Sequence, residues 1–223
     1  MHVQVRSRGI RAGEVVAAVR LGMLGGAFNP PHIGHLALAQ EAYARLGLDE
    51  VLLMPMAHAP HREIEPEPGA QVRLRMTELA VQGDLRLNAC PLEVDRGGRS
   101  YTADTLRALR DRGPADERFL ILGGDAAASL PAWREPEEVL RLATVAVAER
   151  EGWERERVLA ALDGLGGADR VVFFEMPRID VSSTLVRRRA AEGLPLRYLV
   201  PDLVAEEIAE RGLYARDAVG ASS

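Results

Sequence analysis

Two histidines, His32 and His35, stand about one helical turn apart at the end of the stretch Gly25-Gly26-Ala27-Phe28-Asn29-Pro30-Pro31-His32-Ile33-Gly34-His35. The paired glycines ahead of them carry no β-carbon, so backbone N–H groups there can come close to an anion. Pro30 and Pro31 hold the chain extended until a helix begins. At the start of that helix both imidazoles project to one side, near N–H groups that lack intrahelical partners. Such a helix end carries roughly half a positive charge and favours phosphate. An imidazole donor placed there strengthens its hydrogen bond as negative charge builds on a transferring phosphoryl group. A single histidine would serve equally well as a cap or a surface residue. The pair, bracketing a glycine behind a Gly-Gly turn, points to phosphate chemistry. A zinc site is the weaker alternative, because zinc would want a third protein ligand at recognisable spacing.

Composition narrows the chemistry further. The 223-residue chain contains no lysine, and all 28 of its basic residues are arginine. That excludes Schiff-base lysine chemistry and a P-loop, and the glycine stretch is not GxGxxG either. Arginine is then the only fixed positive side chain for holding phosphates, a role its planar fork suits. A net charge of −5 argues against a nucleic-acid binder that works by bulk charge. The lone Cys90 can form no internal disulfide, which fits a reducing cytoplasm. No apolar run approaches the length of a bilayer span.

The elements that must carry these residues alternate along the chain. Leu21–Leu24, Val51–Met54, Phe119–Leu122, Thr144–Ala148 and Val171–Phe174 read as strands. Gly34–Leu46, Gln71–Val81, Thr102–Arg112, Pro136–Leu142, Trp153–Leu162, Ser183–Ala191 and 201–211 read as helices. Leu85–Leu87 and Leu92–Val94 read as short extended pieces. Strands alternating with helices predict an α/β fold: a Rossmann-like, doubly wound parallel sheet with helices on both faces. Ligands in such folds lie outside the carboxyl ends of the strands, and the unusual residues cluster there. Residues 1–19 are expected to be an N-terminal extension, without the apolar stretch of a signal peptide. Residues 20–223 read as a single domain, with 56–68 as a loop of active-site type.

GGAFNPPHIGH resembles the signature GG(T/S)FDPxHxGH of the bacterial nicotinate mononucleotide adenylyltransferases, within the HxGH nucleotidyltransferase superfamily. The resemblance runs from about Arg20 to Tyr214. It implies transfer of AMP from ATP to nicotinate mononucleotide, giving deamido-NAD and pyrophosphate in NAD biosynthesis. Within the motif it assigns ATP contacts to Gly25, Gly26, Ala27, Phe28, His32, Gly34 and His35, with the two histidines catalytic. Ala27 stands where the family usually has a hydroxyl, and Asn29 where it usually has Asp.

Further segments extend the match. Pro60-His61-Arg62 replaces the family's Pro-His-Lys, leaving Arg62 as a phosphate contact or a solvated loop arginine. Ile179–Arg187 resembles IxISSTxIR, so Ser182, Ser183 and Thr184 open a helix toward the ATP phosphates, with Arg187 catalytic a turn later. Ser182 or Ser183 can cap that helix. Asp125, behind a strand, is a nucleotide contact by resemblance or else a buried turn cap. Ser100-Tyr101-Thr102-Ala103-Asp104-Thr105-Leu106 resembles SYTxDTL. By residue type Thr102 is an N-cap; by resemblance Ser100, Tyr101, Thr102, Asp104 and Thr105 bind the substrate, with the exposed N–H groups of this helix start taking its pyridine carboxylate. Trp133 matches the tryptophan that lines the family's pyridine pocket, against a plain core role.

The implied cofactor is Mg²⁺, held mainly by the ATP phosphates without protein metal ligands. The implied partners are the small molecules ATP and nicotinate mononucleotide, with no nucleic acid or membrane, and a homo-oligomer is left open. Two other readings stand beside this one. The chain could be another HxGH nucleotidyltransferase, acting on phosphopantetheine or using CTP. It could also be a catalytically silent nucleotide-binding module, a reading that Ala27, Asn29 and Arg62 favour.

Overall fold

Val145, Ala146, Val147 and Ala148 are consecutive and all buried, as in a parallel strand covered on both faces. The computed structural model describes residues 18–59, 68–149, 154–166 and 168–215. Six such strands pair in parallel: β1 (Arg20–Gly26), β2 (Glu50–Pro55), β3 (Leu87–Ala89), β4 (Glu117–Gly123), β5 (Thr144–Glu149) and β6 (Val171–Glu175). Their order is β3-β2-β1-β4-β5-β6. That is the doubly wound arrangement, with the order reversing between β1 and β4.

Side chains alternate between the two faces of each strand. Met23, Leu120, Leu122, Val145 and Val147 pack on one side. Over them lie α3 (Leu92–Arg96), α4 (Thr102–Arg112), α5 (Gly124–Ala128), α6 (Pro136–Leu142) and α7 (Glu154–Leu162). Leu24, Leu53, Phe119, Ile121 and Ala146 face the other way, under α1 (Ile33–Leu46) and the end of α2 (Ala70–Val81). A third cluster joins α2 to α8 (Ser183–Ala191) and α9 (Asp202–Glu210) through Met76, Leu79, Val186, Val204 and Ile208. Full burial of a valine such as Val186 or Val204 stabilises by about 1.5–3 kcal/mol. This packing fixes where α8 begins.

The expected fold class is the observed one, and α4, α6 and α8 have the bounds read from the sequence. Leu92–Val94 is a correction, for it is helical. The Leu-Glu-Val alternation suggests a strand, yet Leu92, Glu93 and Val94 are all buried in α3. An inward-facing carboxylate produced the false alternation. Gly97, at φ 69°, ends that short helix. The neighbouring strand is Leu87–Ala89, two residues later than expected, and it leaves Leu85 96% exposed. The Val19 N–H donates to Asp116 Oδ1 at 3.1 Å, and its carbonyl accepts the Glu117 N–H at 2.9 Å. Residues 1–17, the Pro60-His61-Arg62 stretch and Trp153 lie outside the described residues. No described helix is long and apolar enough to cross a membrane.

Candidate active site

β1 ends at Gly26 and β4 at Gly123, on neighbouring strands at the reversal point, where the carboxyl ends leave room for a ligand. The loop leaving β1 turns through the buried Phe28, at φ 46°, and enters α1 at His32, its N-cap. His35 takes the position of the acidic residue in a capping box: its Nδ1 accepts the backbone N–H of His32 at 3.2 Å. A neutral His35 therefore carries its proton on Nε2, as a donor. The two imidazole centroids are 3.8 Å apart, tilted by 31°, and Phe28 meets His35 edge-on at 5.0 Å.

His32 is only 7% exposed, and its Nδ1 has no hydrogen-bond partner among the described residues. Buried polar atoms are nearly always paired, so an unpaired one indicates a place for a ligand or water. Burial lowers the His32 pKa to about 4. His35 falls to about 3, through burial and then repulsion from His32. At neutral pH the pair is uncharged. Gly34 lies between them, and a β-carbon there would sit 3.1 Å from His32 Nδ1 and 3.5 Å from the Val181 carbonyl. That carbonyl belongs to the approach to α8.

The start of α8 is tied to the β1 loop across the sequence. Ser183 Oγ donates to the Pro30 carbonyl at 2.9 Å, and Arg187 Nη1 to the Asn29 carbonyl at 2.8 Å. Arg187 Nη2 also reaches Thr184 Oγ1 at 3.3 Å. Ser182 is the N-cap, its Oγ accepting the Leu185 N–H at 3.1 Å. Two helix N-termini, one with the histidine pair and one with a serine cap and an arginine, thus share one wall of the crevice. The Ile33 N–H at the start of α1 is already taken by the Leu199 carbonyl at 3.0 Å.

Asp125 lies in the first turn of α5, directly behind β4. Its side chain is 90% exposed and pairs with Arg157 at 3.0 Å, so it is no buried turn cap. Trp133 is half-buried, its ring against the core and its Nε1 donating to Ser129 Oγ at 3.0 Å. The core and pocket readings are compatible, since one part of the residue packs inward and part stays open.

The Ser100–Thr105 segment divides in two. Tyr101, not Thr102, is the N-cap of α4, and it caps without a side-chain hydrogen bond. Tyr101, Thr102 and Asp104 are partly exposed. Ser100 and Thr105 are buried and already bonded. Ser100 Oγ accepts the Ala57 N–H at 2.9 Å, while Thr105 Oγ1 lies 2.6 Å from Glu93 Oε1 and 3.0 Å from Arg96 Nη2. Burial raises the Glu93 pKa, against the hydrogen bonds from Thr105 and Ser100. Ser100 fastens the approach to α4 to the loop after β2, and Thr105 fastens α4 to α3.

Three positions gain roles that their sequence context did not suggest. Asn29 is 1% exposed, and its Oδ1 accepts the Tyr214 hydroxyl at 2.6 Å, so it anchors the end of the domain. Arg73 of α2 is fully buried; it donates to the carbonyls of Ala27 at 2.9 Å, Met56 at 2.8 Å and Ala57 at 3.0 Å. It clamps the loops after β1 and β2 together. The signal was available, because Arg73 falls in the buried stripe of α2 with Met76 and Thr77. Arg134 is the third, next to Trp133 and over the Tyr101 ring.

A crevice at the reversal point, walled by helix N-termini and uncharged donors, defines a nucleotide-binding α/β protein. Known proteins agree. Residues 23–189 match the family model described as cytidylyltransferase-like. A protein of Halalkalibacterium halodurans named "Probable nicotinate-nucleotide adenylyltransferase" is 43% identical over 196 residues, covering 87% of this chain and 91% of its own length. A protein of the same name from Herpetosiphon aurantiacus is 42% identical, covering 87% of this chain and 98% of its own. The solved nicotinic acid mononucleotide adenylyltransferase of Plasmodium falciparum, complexed with NaAD, shares the fold at a TM-score of 0.70 and 15% identity, over 88% of this chain and 97% of that one. The chain belongs to the cytidylyltransferase-like family and, within it, to the nicotinate-nucleotide adenylyltransferases.

Proposed function

We propose that this chain transfers AMP from Mg·ATP to nicotinate mononucleotide, releasing pyrophosphate and making deamido-NAD for NAD biosynthesis in the cytoplasm. One observation carries the mechanism: the N-termini of α1 and α8 are joined by the Ser183–Pro30 and Arg187–Asn29 bonds around a histidine pair with an unpartnered buried nitrogen. In the reaction a 5′-phosphate oxygen of the mononucleotide attacks the α-phosphorus in line. The bond from that phosphorus to the bridging oxygen breaks, and pyrophosphate leaves with the electron pair. The nucleophile is already an anion at neutral pH, so no general base is needed. Catalysis is positioning and charge stabilisation.

His32, His35 and Arg187 donate to the phosphate oxygens as charge shifts toward the leaving group. A bound polyanion favours the protonated imidazoles, so ATP binding raises both pKa values and draws protons from solution. Backbone at Gly25, Gly26, Ala27, Phe28 and Gly34, with Ser182, Ser183 and Thr184, cradles the triphosphate. Asp125 contacts the nucleotide at the mouth, and Arg62 keeps its place on its sequence match. Trp133 and the exposed face of Tyr101, Thr102 and Asp104 receive the pyridine ring. Ser100 and Thr105 act through that helix start. Among the described residues no group of three or more His, Cys, Asp or Glu could hold a metal. Magnesium would arrive on the ATP phosphates, which the donors and arginines of the site would hold. The catalytic domain is one unit over 20–223, preceded by an extension.

Pyrophosphate release with Mg·ATP and nicotinate mononucleotide tests this reading, with phosphopantetheine, and CTP in place of ATP, as controls. Turnover confined to the pyridine nucleotide is the expected result. Folded protein that binds ATP but turns over none of these would be a silent nucleotide-binding module.

A further inference from the structure

Arg134 directly follows Trp133, and its guanidinium lies 4.6 Å from the centre of the Tyr101 ring, at the N-cap of α4. Two carboxylates are near it, Asp104 at 3.6 Å and Glu135 at 3.4 Å. Neither is in hydrogen-bonding geometry, so the five N–H donors of Arg134 are unused among the described residues. Arg107 holds the same acids more closely: Asp104 at 3.1 Å, Glu138 at 3.2 Å, and Glu135 in a shorter contact still. Each of the two acids turns one oxygen to Arg107 and the other to Arg134, so Arg134 shares their charge with a closer competitor. The backbone at this point is strained as well. Glu135 has φ 56° and ψ 57°, a left-handed conformation that non-glycine residues seldom adopt. Strain of this kind persists where the surroundings impose it, and it clusters at binding sites. Here it accompanies an arrangement in which Glu135 meets Arg107 and Arg134 stays over Tyr101.

We infer that Arg134 is the specificity-determining residue that makes this chain prefer the acid form of the pyridine nucleotide to its amide. The inference rests on the adenylyl-transfer reading above. A guanidinium meets a carboxylate through two parallel N–H···O bonds between opposite charges. A carboxamide carries no charge and presents an NH₂ group that faces donors with donors. The contact with the Tyr101 ring restricts the guanidinium before binding, which reduces the freedom lost when a ligand arrives. The free N–H groups at the start of α4 favour the same anion.

The test compares wild type with Arg134→Gln and Arg134→Lys, at saturating Mg·ATP, on nicotinate and nicotinamide mononucleotide. Arg134 is exposed and makes no hydrogen bond, so both variants should fold, and melting temperature checks this. In Arg134→Gln the acid-to-amide ratio of kcat/KM should fall by about 10- to 100-fold, as for loss of a charge-assisted hydrogen bond. Arg134→Lys should recover part of it, keeping the charge without the fork. A ratio in Arg134→Gln equal to that of wild type, or a wild type that prefers the amide, overturns the assignment and leaves adenylyl transfer standing. A wild type that turns over neither nucleotide removes the underlying reading and this inference together.

Discussion

At the α1–α8 end of the crevice, hydrogen-bonding groups are held back from one another. His32 Nδ1 is buried without a partner, and Arg187 uses only two of its donors among the described residues. In the buried layer behind the start of α4 the reverse holds, for Ser100, Thr105, Glu93 and Arg96 bond to one another and to the loop after β2. A group that already has a partner gains little when charge appears beside it. A group without one gains a full bond. The first end is built to respond to a polyanion, the second to hold a helix start still while a pyridinium ring and its carboxylate are placed against it.

The comparison is broken most directly at His35. His35→Ala should lower kcat by roughly 100-fold or more, the cost of removing one preorganised donor to a developing charge. Turnover at the wild-type rate would show that the uncommitted donors at that end do no chemistry. Acid sensitivity comes next. Folding keeps both rings neutral, with pKa values lowered to about 4 and about 3, while the unfolded chain protonates near the ordinary 6.5. Below about pH 6.5 the unfolded state therefore binds more protons, and stability falls as pH falls toward about 4, by up to about 1.4 kcal/mol per imidazole per pH unit. The double variant His32→Asn/His35→Asn should flatten that slope in denaturation at pH 7 and pH 5. A slope as steep as before would place the sensitivity in other groups.

The α4 end should answer in stability and binding. Thr105→Val leaves Glu93 and Arg96 short of a partner, and should cost about 1–3 kcal/mol by chemical denaturation. Recovery of wild-type stability would mean the network is not closed as described. Trp133→Ala should raise KM for the pyridine nucleotide up to about 10-fold, the scale of one lost aromatic contact. An unchanged KM would make Trp133 a core residue alone.

Much of this molecule can be read along the chain because the signals are local. Strand and helix alternate with the periods that dictate them, and α4, α6 and α8 begin at Thr102, Pro136 and Ser183. The Gly-Gly turn and the His32–His35 pair are contiguous, so their helix-start geometry follows from spacing alone. Local reading fails where a polar residue faces inward. Glu93 disguised a helix as a strand, and the residue types of Ser100 and Thr105 do not disclose that both are buried.

By itself the sequence determines an α/β alternation with a phosphate-type loop behind the first strand, through backbone preferences and side-chain period. Only the tertiary structure decides that α8 begins against that loop, that Asn29 holds Tyr214 across 185 residues, and that Arg73 joins the loops after β1 and β2. Those contacts depend on the cluster of α2, α8 and α9 closing over one corner of the sheet. Packing between elements far apart in the chain leaves no periodic trace in any one of them.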